Sequence, residues 1–260
     1  MKNKGTEFTF HKSFFVDNAA FLFLSRDDIE KGGKLVSNHF RRFGFTVHSG
    51  DKSTKTDSKT EAMFIPGAGR TKSKSDTADI MIGDTKYFSY CDEFKYLGTT
   101  ITTTLRDEVD IEKRIKQATK AFAAMEKTLC DQKINPSIRV KIYEATVVNI
   151  LLWGCESWAL TEKLREKLEV YHNRFLRRMA KINTHDAKEN HITNESVREA
   201  LNCRTLHQSM ELKRSKWLQK LALSGYDRNP RKILKAWLPD VPRPVGGPQQ
   251  STKKSHRNTF

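Results

Sequence analysis

The sequence predicts an α+β protein in which small strand elements come first and only helices follow, and three observations carry that expectation. Before residue 104, short apolar runs are interrupted by tight-turn residues, as in Phe14-Phe15 and residues 19–24 around Val16-Asp17-Asn18. Asp and Asn suit such a turn because they tolerate left-handed backbone geometry. From Glu108 the apolar residues Ile111, Ile115, Ala118, Phe122, Met125 and Leu129 recur at steps of four and three, the mark of one helix face. The 260 residues are 37% apolar and 30% charged, with a mean hydropathy of -0.66, which allows a lean core under a large polar surface.

Taken in order, Phe8, Phe10, Phe14 and Phe15 pair with residues 19–24 as a β-hairpin whose tip carries Asp17. Ser25 is an N-cap, with Asp27 and Asp28 complementing the positive end of a helix that runs to about Phe43. Leu35, Val36, His39, Phe40 and Phe43 give that helix an apolar face, Gly32-Gly33 weakens its early turns, and Gly44 ends it. Residues 48–60 read as a polar loop, 62–65 as a short strand stopped by Pro66, and 80–88 as a second hairpin around Gly83-Asp84. Residues 94–97 before Gly98 form another short strand, followed by a Thr-rich stretch. Asn135-Pro136 breaks the helix that starts at Glu108. A helix over 137–153 is apolar nearly all round, and Gly154 ends it. A third helix starts at a Thr161 cap with Leu164, Leu168, Tyr171, Phe175 and Met179 on one face. Two more follow near 195–201 and 206–223. The Pro/Gly-rich, then basic, run beyond Pro239 reads as extended or disordered. The domains expected are thus 1–104, 105–182, a basic helical extension over 183–238, and a basic tail over 239–260.

The net charge is +16, and it rises along the chain, from +3 over residues 1–104 to +5 over 105–181 and +8 over 182–260. A folded surface with that excess attracts phosphate backbones by releasing their counterions. Cysteines 91, 130, 155 and 203 are far apart, which argues against a zinc module or a disulfide framework. Cys203 and His207 share an i,i+4 spacing, but no second pair completes a metal site, so they read as helix-surface residues. The start, MKNKGTEF, has no apolar signal core, and the longest apolar run is too short for a bilayer. The expectation is an intracellular protein of the nucleus or cytoplasm with no membrane partner.

The segment FFVDNAAFLF resembles the metal-binding turn of reverse transcriptases of LINE-like (non-LTR) retrotransposons. Further pieces follow in that family's order: Arg41-Arg42-Phe43-Gly44; SKTEAMF at 58–64; Phe94-Lys95-Tyr96-Leu97-Gly98; LWGCESW at 152–158; and Arg174-Phe175-Leu176-Arg177-Arg178-Met179. The resemblance covers roughly residues 13–182, and less clearly 190–248. It implies a partial palm sheet over 1–104, followed by an all-α thumb bundle.

The resemblance also implies roles. In the family, two divalent metals, usually Mg²⁺, are bridged by carboxylates and drive nucleotide addition. Asp17 takes the first position of the carboxylate pair, and Asn18 stands where the family has its second Asp. Lys59 falls where the family has a lysine beside the active site, although a solvated loop lysine fits equally well beside Lys52 and Lys55. Phe94, Lys95, Tyr96 and Gly98 match the hairpin that holds the primer's 3′ end; Phe94 and Tyr96 could equally be core residues. Arg174, Arg177 and Arg178 lie within two helical turns of the thumb, where several basic side chains can reach one phosphate track. Trp153 and Trp158 read as bundle packing, and Trp217 and Trp237 as further core candidates. Only sixteen residues precede Asp17, so the family's other metal-binding Asp and its fingers are not within this chain. The expectation is a reverse-transcriptase-like fragment, inactive as an RNA-directed DNA polymerase on its own, that contacts a primer–template duplex of RNA or DNA. The rival readings are a non-catalytic basic nucleic-acid-binding helical module and a retroelement remnant with no selected role.

Overall fold

The structure, a computed structural model, describes residues 12–67, 69–225 and 227–235. By compactness, the described residues 12–219 make one unit, and the described residues from 220 on belong to a second. Phe8, Phe10, Trp237 and the 239–260 tail lie outside the described residues. The α+β class stands: small strand pairs fill the first hundred residues, and helices fill the rest.

The first hairpin pairs β1 (Lys12–Phe15) with β2 (Asn18–Phe21). Asn18 is not in the turn, as the sequence reading had it, but is the first residue of β2, opposite Phe15. Helix α1 (Arg26–Arg42) begins as expected, with the Ser25 side chain accepting from the Asp28 amide. It ends in a paired closure: Gly44, at φ +78, donates to Arg41 O, and Phe45 donates to Phe40 O. Gly32 and Gly33 are more than weak helix formers. A Cβ on Gly32 would run into the Phe23 ring, and one on Gly33 would lie 2.9 Å from Phe88, so both permit close packing. The expected apolar face of α1 is poorly covered, however. Leu35 and Phe43 are exposed, and Gly33 is the buried residue of the helix.

Next comes a small sheet built on β6 (Lys86–Tyr90). β3 (Gly50–Asp51) and β5 (Ile80–Met81) pair with it antiparallel, and β4 (Glu61–Ala62) pairs parallel. The stretch expected to be a loop at 48–60 therefore supplies a short strand. It was hidden because two residues are too few to show an alternation. Ala62, Ile80 and Phe88 form a thin core here. β7 (Glu93–Tyr96) and β8 (Thr99–Thr102) then form a hairpin. Its two turn residues, Leu97 and Gly98, both have positive φ, the turn whose twist matches a right-handed ribbon.

The main core belongs to the helices. α2 (Glu108–Leu129) buries Ile111, Ile115, Ala118, Phe122 and Leu129, as its period predicts. α3 (Pro136–Tyr143) starts on an Asn135 cap with Pro at its first position. It then loosens into a π-helical turn at Glu144–Val148 before a short α4 (Asn149–Leu151), so the single helix expected over 137–153 is in fact broken in pitch. α5 (Glu162–Met179) follows its Thr161 cap. Three rings knit these helices together: Phe122 and Phe175 stack at 4.9 Å, and Tyr143 meets both edge-on. α6 (Thr184–Glu189), too short and polar to show a period, was not expected. α7 (Asn194–Leu201) and α8 (Leu206–Leu223) were. Cys203 is buried against this core, not on a helix surface, and desolvation pushes its thiol up to about 12. Trp217 is exposed, contrary to the core expectation. In the second unit, α9 (Asn229–Lys235) follows the end of α8, and the Arg231 guanidinium donates to Ser224 O.

Two buried polar side chains act as fasteners. The Arg139 guanidinium donates to Leu129 O at 3.2 Å and to Met179 O at 2.8 Å. It thereby ties the carbonyl-rich ends of α2 and α5 together. His172 Nε2 donates to Arg204 O at 3.1 Å. Its Nδ1 must then accept from Tyr143 Oη at 2.8 Å, which is the neutral form of the ring. Burial lowers the His172 pKa below the ordinary value of 6.5. The unfolded chain takes up a proton near that ordinary value while the fold resists it, so stability is full above about pH 6.5 and is lost as pH falls below it. Thermal melts between pH 7.5 and 5 should show this decline, at up to about 1.4 kcal/mol per pH unit. A His172→Gln chain should show a flatter profile over the same range.

Candidate nucleic-acid interface

The turn of the first hairpin is Val16-Asp17, and Val16 holds φ +55. A β-branched residue in left-handed geometry costs on the order of 1–3 kcal/mol, and such outliers concentrate at functional sites. Val16, Asp17 and Asn18 are all exposed, and the Asn18 amide lies 3.4 Å from Asp17 Oδ1. A two-metal site needs several carboxylates around the ions. Here Asn18 supplies a neutral amide, and among the described residues no three His, Cys, Asp or Glu side chains gather where they could hold a metal ion. The residues present do not fit a two-Mg²⁺ site, and no chemical step is assigned to one.

This hairpin is joined to the next. Tyr96 Oη donates to Ser13 Oγ at 3.1 Å, bridging β7 and β1. Phe94 and Tyr96 stack at 6.2 Å on the same face of β7, both half-buried, while Lys95 points to the other face and is exposed. Lys59 is exposed in the turn before β4, with its backbone amide donating to His48 Nδ1. The structure brings Tyr96 and the Asp17 hairpin together and places no contact between Lys59 and that turn.

The β7–β8 hairpin in turn docks on the helical bundle through one buried carboxylate. Asp110, in the first turn of α2, accepts from the Thr100 amide at 2.8 Å and from Trp158 Nε1 at 3.2 Å. Arg114, one turn later and also buried, lies 3.7 Å from the same carboxylate and donates to Gly98 O. The 153–158 turn is fastened from other sides as well. Arg214 donates to Cys155 O and Trp158 O, and Asp107 accepts from the Ala159 amide at 2.7 Å. Two glycines with positive φ face these contacts. A Cβ on Gly98 would lie 3.1 Å from Trp153 Nε1, and one on Gly154 would lie 2.9 Å from Thr99 Oγ1. Two segments more than fifty residues apart, FKYLG and LWGCESW, thus meet turn against turn.

Trp158 is buried here as expected, but Trp153 is not: 52% of it is exposed. It closes the helix whose neighbours Leu151 and Leu152 are buried, and it extends past the core toward the Gly98 turn. Its exposure and the Asp110 network are the parts of this surface that sequence reasoning missed. The signal available was the pair of glycines following an exposed-turn leucine and a helix-ending tryptophan.

The three arginines of α5 part company. Arg177 donates to Asn194 Oδ1 and pins α7. Arg178 pairs with Glu126 and lies over the Phe122 ring at 5.2 Å. Arg174 is exposed, with no side-chain partner among the described residues. One of the three is therefore free for a phosphate, and two are engaged in holding the bundle.

The fold and this surface define an α+β protein whose strand–turn elements are bolted to a basic helical bundle. The chain is 28% identical over 107 residues to an uncharacterized transposon-derived protein of Caenorhabditis elegans, over 41% of this chain and 38% of that protein. The chain thus matches well under half of that relative's length. No family model matches the chain, and no solved structure matches it. Among the described residues no helix is long and apolar enough to cross a membrane.

Two substitutions test this geometry. Asp110→Ala strips the partner from a buried arginine, and chemical denaturation should show a loss of about 3–5 kcal/mol. Asn18→Asp adds a second charge beside the turn, and Mn²⁺ titration calorimetry should show affinity there rising on the order of tenfold.

Proposed function

We propose that this chain comes from a transposable element of the non-LTR class, and that it comprises the end of a reverse-transcriptase palm, its thumb and a basic extension. Its role in this reading is to grip nucleic acid, not to copy it. The observation that carries the reading is the continuous link from the strained Asp17 turn through Ser13–Tyr96 to the 93–102 hairpin, and from there through Asp110 to the bundle. That linkage is what a polymerase needs in order to hold a strand's end near a carboxylate turn. The transposon-derived relative from the nematode supports the same ancestry. Asn18 argues against copying, because one carboxylate at the turn leaves the charge of two divalent cations largely uncompensated.

Grip is supported by the net charge of +16 and by exposed Lys95 on β7 and exposed Arg174 on α5, both within the main unit. Under this reading, Phe94, Tyr96 and Gly98 shape the hairpin and Lys95 meets phosphate. Arg177 and Arg178 act through the bundle instead of touching the strand.

Primer extension with the purified chain, an RNA template, nucleotides and Mg²⁺ should give no product. Extension that vanishes in Asp17→Ala would overturn the non-copying reading. Binding of a labelled primer–template duplex, followed by anisotropy across salt, should give a log–log slope of roughly -3 or steeper, since each phosphate contact adds about -0.9. Arg174→Ala should make that slope shallower by about one, whereas Arg177→Ala should lower Tm and leave the slope alone. A flat salt response of the parent chain would remove the proposal.

A further inference from the structure

We propose that Trp153 is a base-stacking residue, with an unpaired base of the bound strand lying on its open indole beside the 97–98 turn. The proposal rests on the nucleic-acid reading above and adds a contact that recognises a base, where lysines and arginines recognise phosphate.

Packing does not explain the exposure of Trp153. Its neighbours in the same segment, Leu151, Leu152, Cys155 and Trp158, are all buried, while Trp153 is 52% exposed. Nor is the ring loose. The Arg114 guanidinium lies 5.9 Å from its centre, and Arg114 is itself fixed by Gly98 O and the nearby Asp110. Gly98 has no side chain to cover the indole, and any Cβ there would press on Nε1 at 3.1 Å. The ring thus has a fixed cation beside it and the bare Gly98 turn at its edge, while Trp153 as a whole stays 52% exposed. An aromatic ring immobilised before binding loses little entropy when a second ring stacks on it. Exposed Lys95, on the same hairpin, supplies the basic partner that such a platform uses for the strand's backbone.

A protein partner is less well matched at this point. Several exposed apolar residues, among them Phe14, Phe15, Leu35 and Phe43, belong to the first hairpin and α1. Beside Trp153 the exposed Leu97 is accompanied by the Arg114 cation, Gly98 and the polar Thr99.

The experiment compares the full chain with Trp153→Ala, Trp153→Leu and Trp153→Phe on two labelled single strands of equal length, one with bases and one fully abasic. Trp153→Ala and Trp153→Leu should bind the base-bearing strand roughly tenfold more weakly than the parent, with the salt slope unchanged. Both should equal the parent on the abasic strand, and Trp153→Phe should keep most of the affinity. Trp153→Leu keeps apolar bulk, so it reads stacking even if the Ala chain folds poorly. Equal losses on both strands would mean that Trp153 only shapes the surface. No loss on either strand would mean that it serves some other contact, such as protein. Either result overturns the proposal. If the parent chain binds the primer–template duplex but neither single strand at low salt, this inference fails alone; if it binds none of the three, the nucleic-acid reading fails with it.

Discussion

Asp110 is buried in the first turn of α2, and the folded arrangement of the strand and helical regions turns on its two oxygens. One takes the Thr100 amide of β8, and the other takes the indole of Trp158. Arg114 stands beside the same carboxylate and reaches the carbonyl of Gly98. A carboxylate taken out of water is tolerated only when its hydrogen-bonding capacity is met. The position of α2's first turn favours it further, since the helix dipole is positive there. The consequence is geometric: the hairpin cannot drift from the bundle without stranding a charge in the interior.

From that constraint the surface follows. With Gly98 drawn against α2, the 97–98 turn meets the 153–154 helix end, and two glycines leave space where side chains would collide. Trp153 is carried past the core and stays in solvent. The same hairpin extends through Tyr96 to Ser13, so the strained turn at Val16-Asp17 is part of one connected arrangement with the bundle. A surface assembled by interior bonds is rigid where it meets a ligand, which is the condition for precise binding at low entropic cost.

The two halves of the main unit differ in how they are stabilised. The helical region has a large core around Phe122, Tyr143 and Phe175, with Arg139 and His172 satisfying helix ends and loops from inside. The strand region rests on a three-residue core at Ala62, Ile80 and Phe88 and leaves much of α1's apolar face open. Local opening is easiest where buried apolar contacts are few, so the first hairpin and α1 form the softer end of the unit.

Elements whose signals are local could be read from the chain alone. Ser25 and Thr161 mark helix starts by capping chemistry, Asn135-Pro136 marks a helix break, Gly44 and Gly154 mark ends, and the 3.6-residue period points to the buried faces of α2 and α5. The α+β order and the basic surface were also legible, because composition and period do not depend on distant partners. Which polar and aromatic residues face one another is set by folding, not by any local signal. Nothing local distinguishes Asp110 from any first-turn acid, Trp153 from Trp158, or Arg174 from Arg177 and Arg178. Their roles depend on partners such as Thr100, Gly98, Asn194 and Glu126, which are brought near only when the chain closes on itself. Two-residue strands such as β3 were illegible for the same reason: their pairing with β6 is a long-range hydrogen-bond fact with no period to announce it.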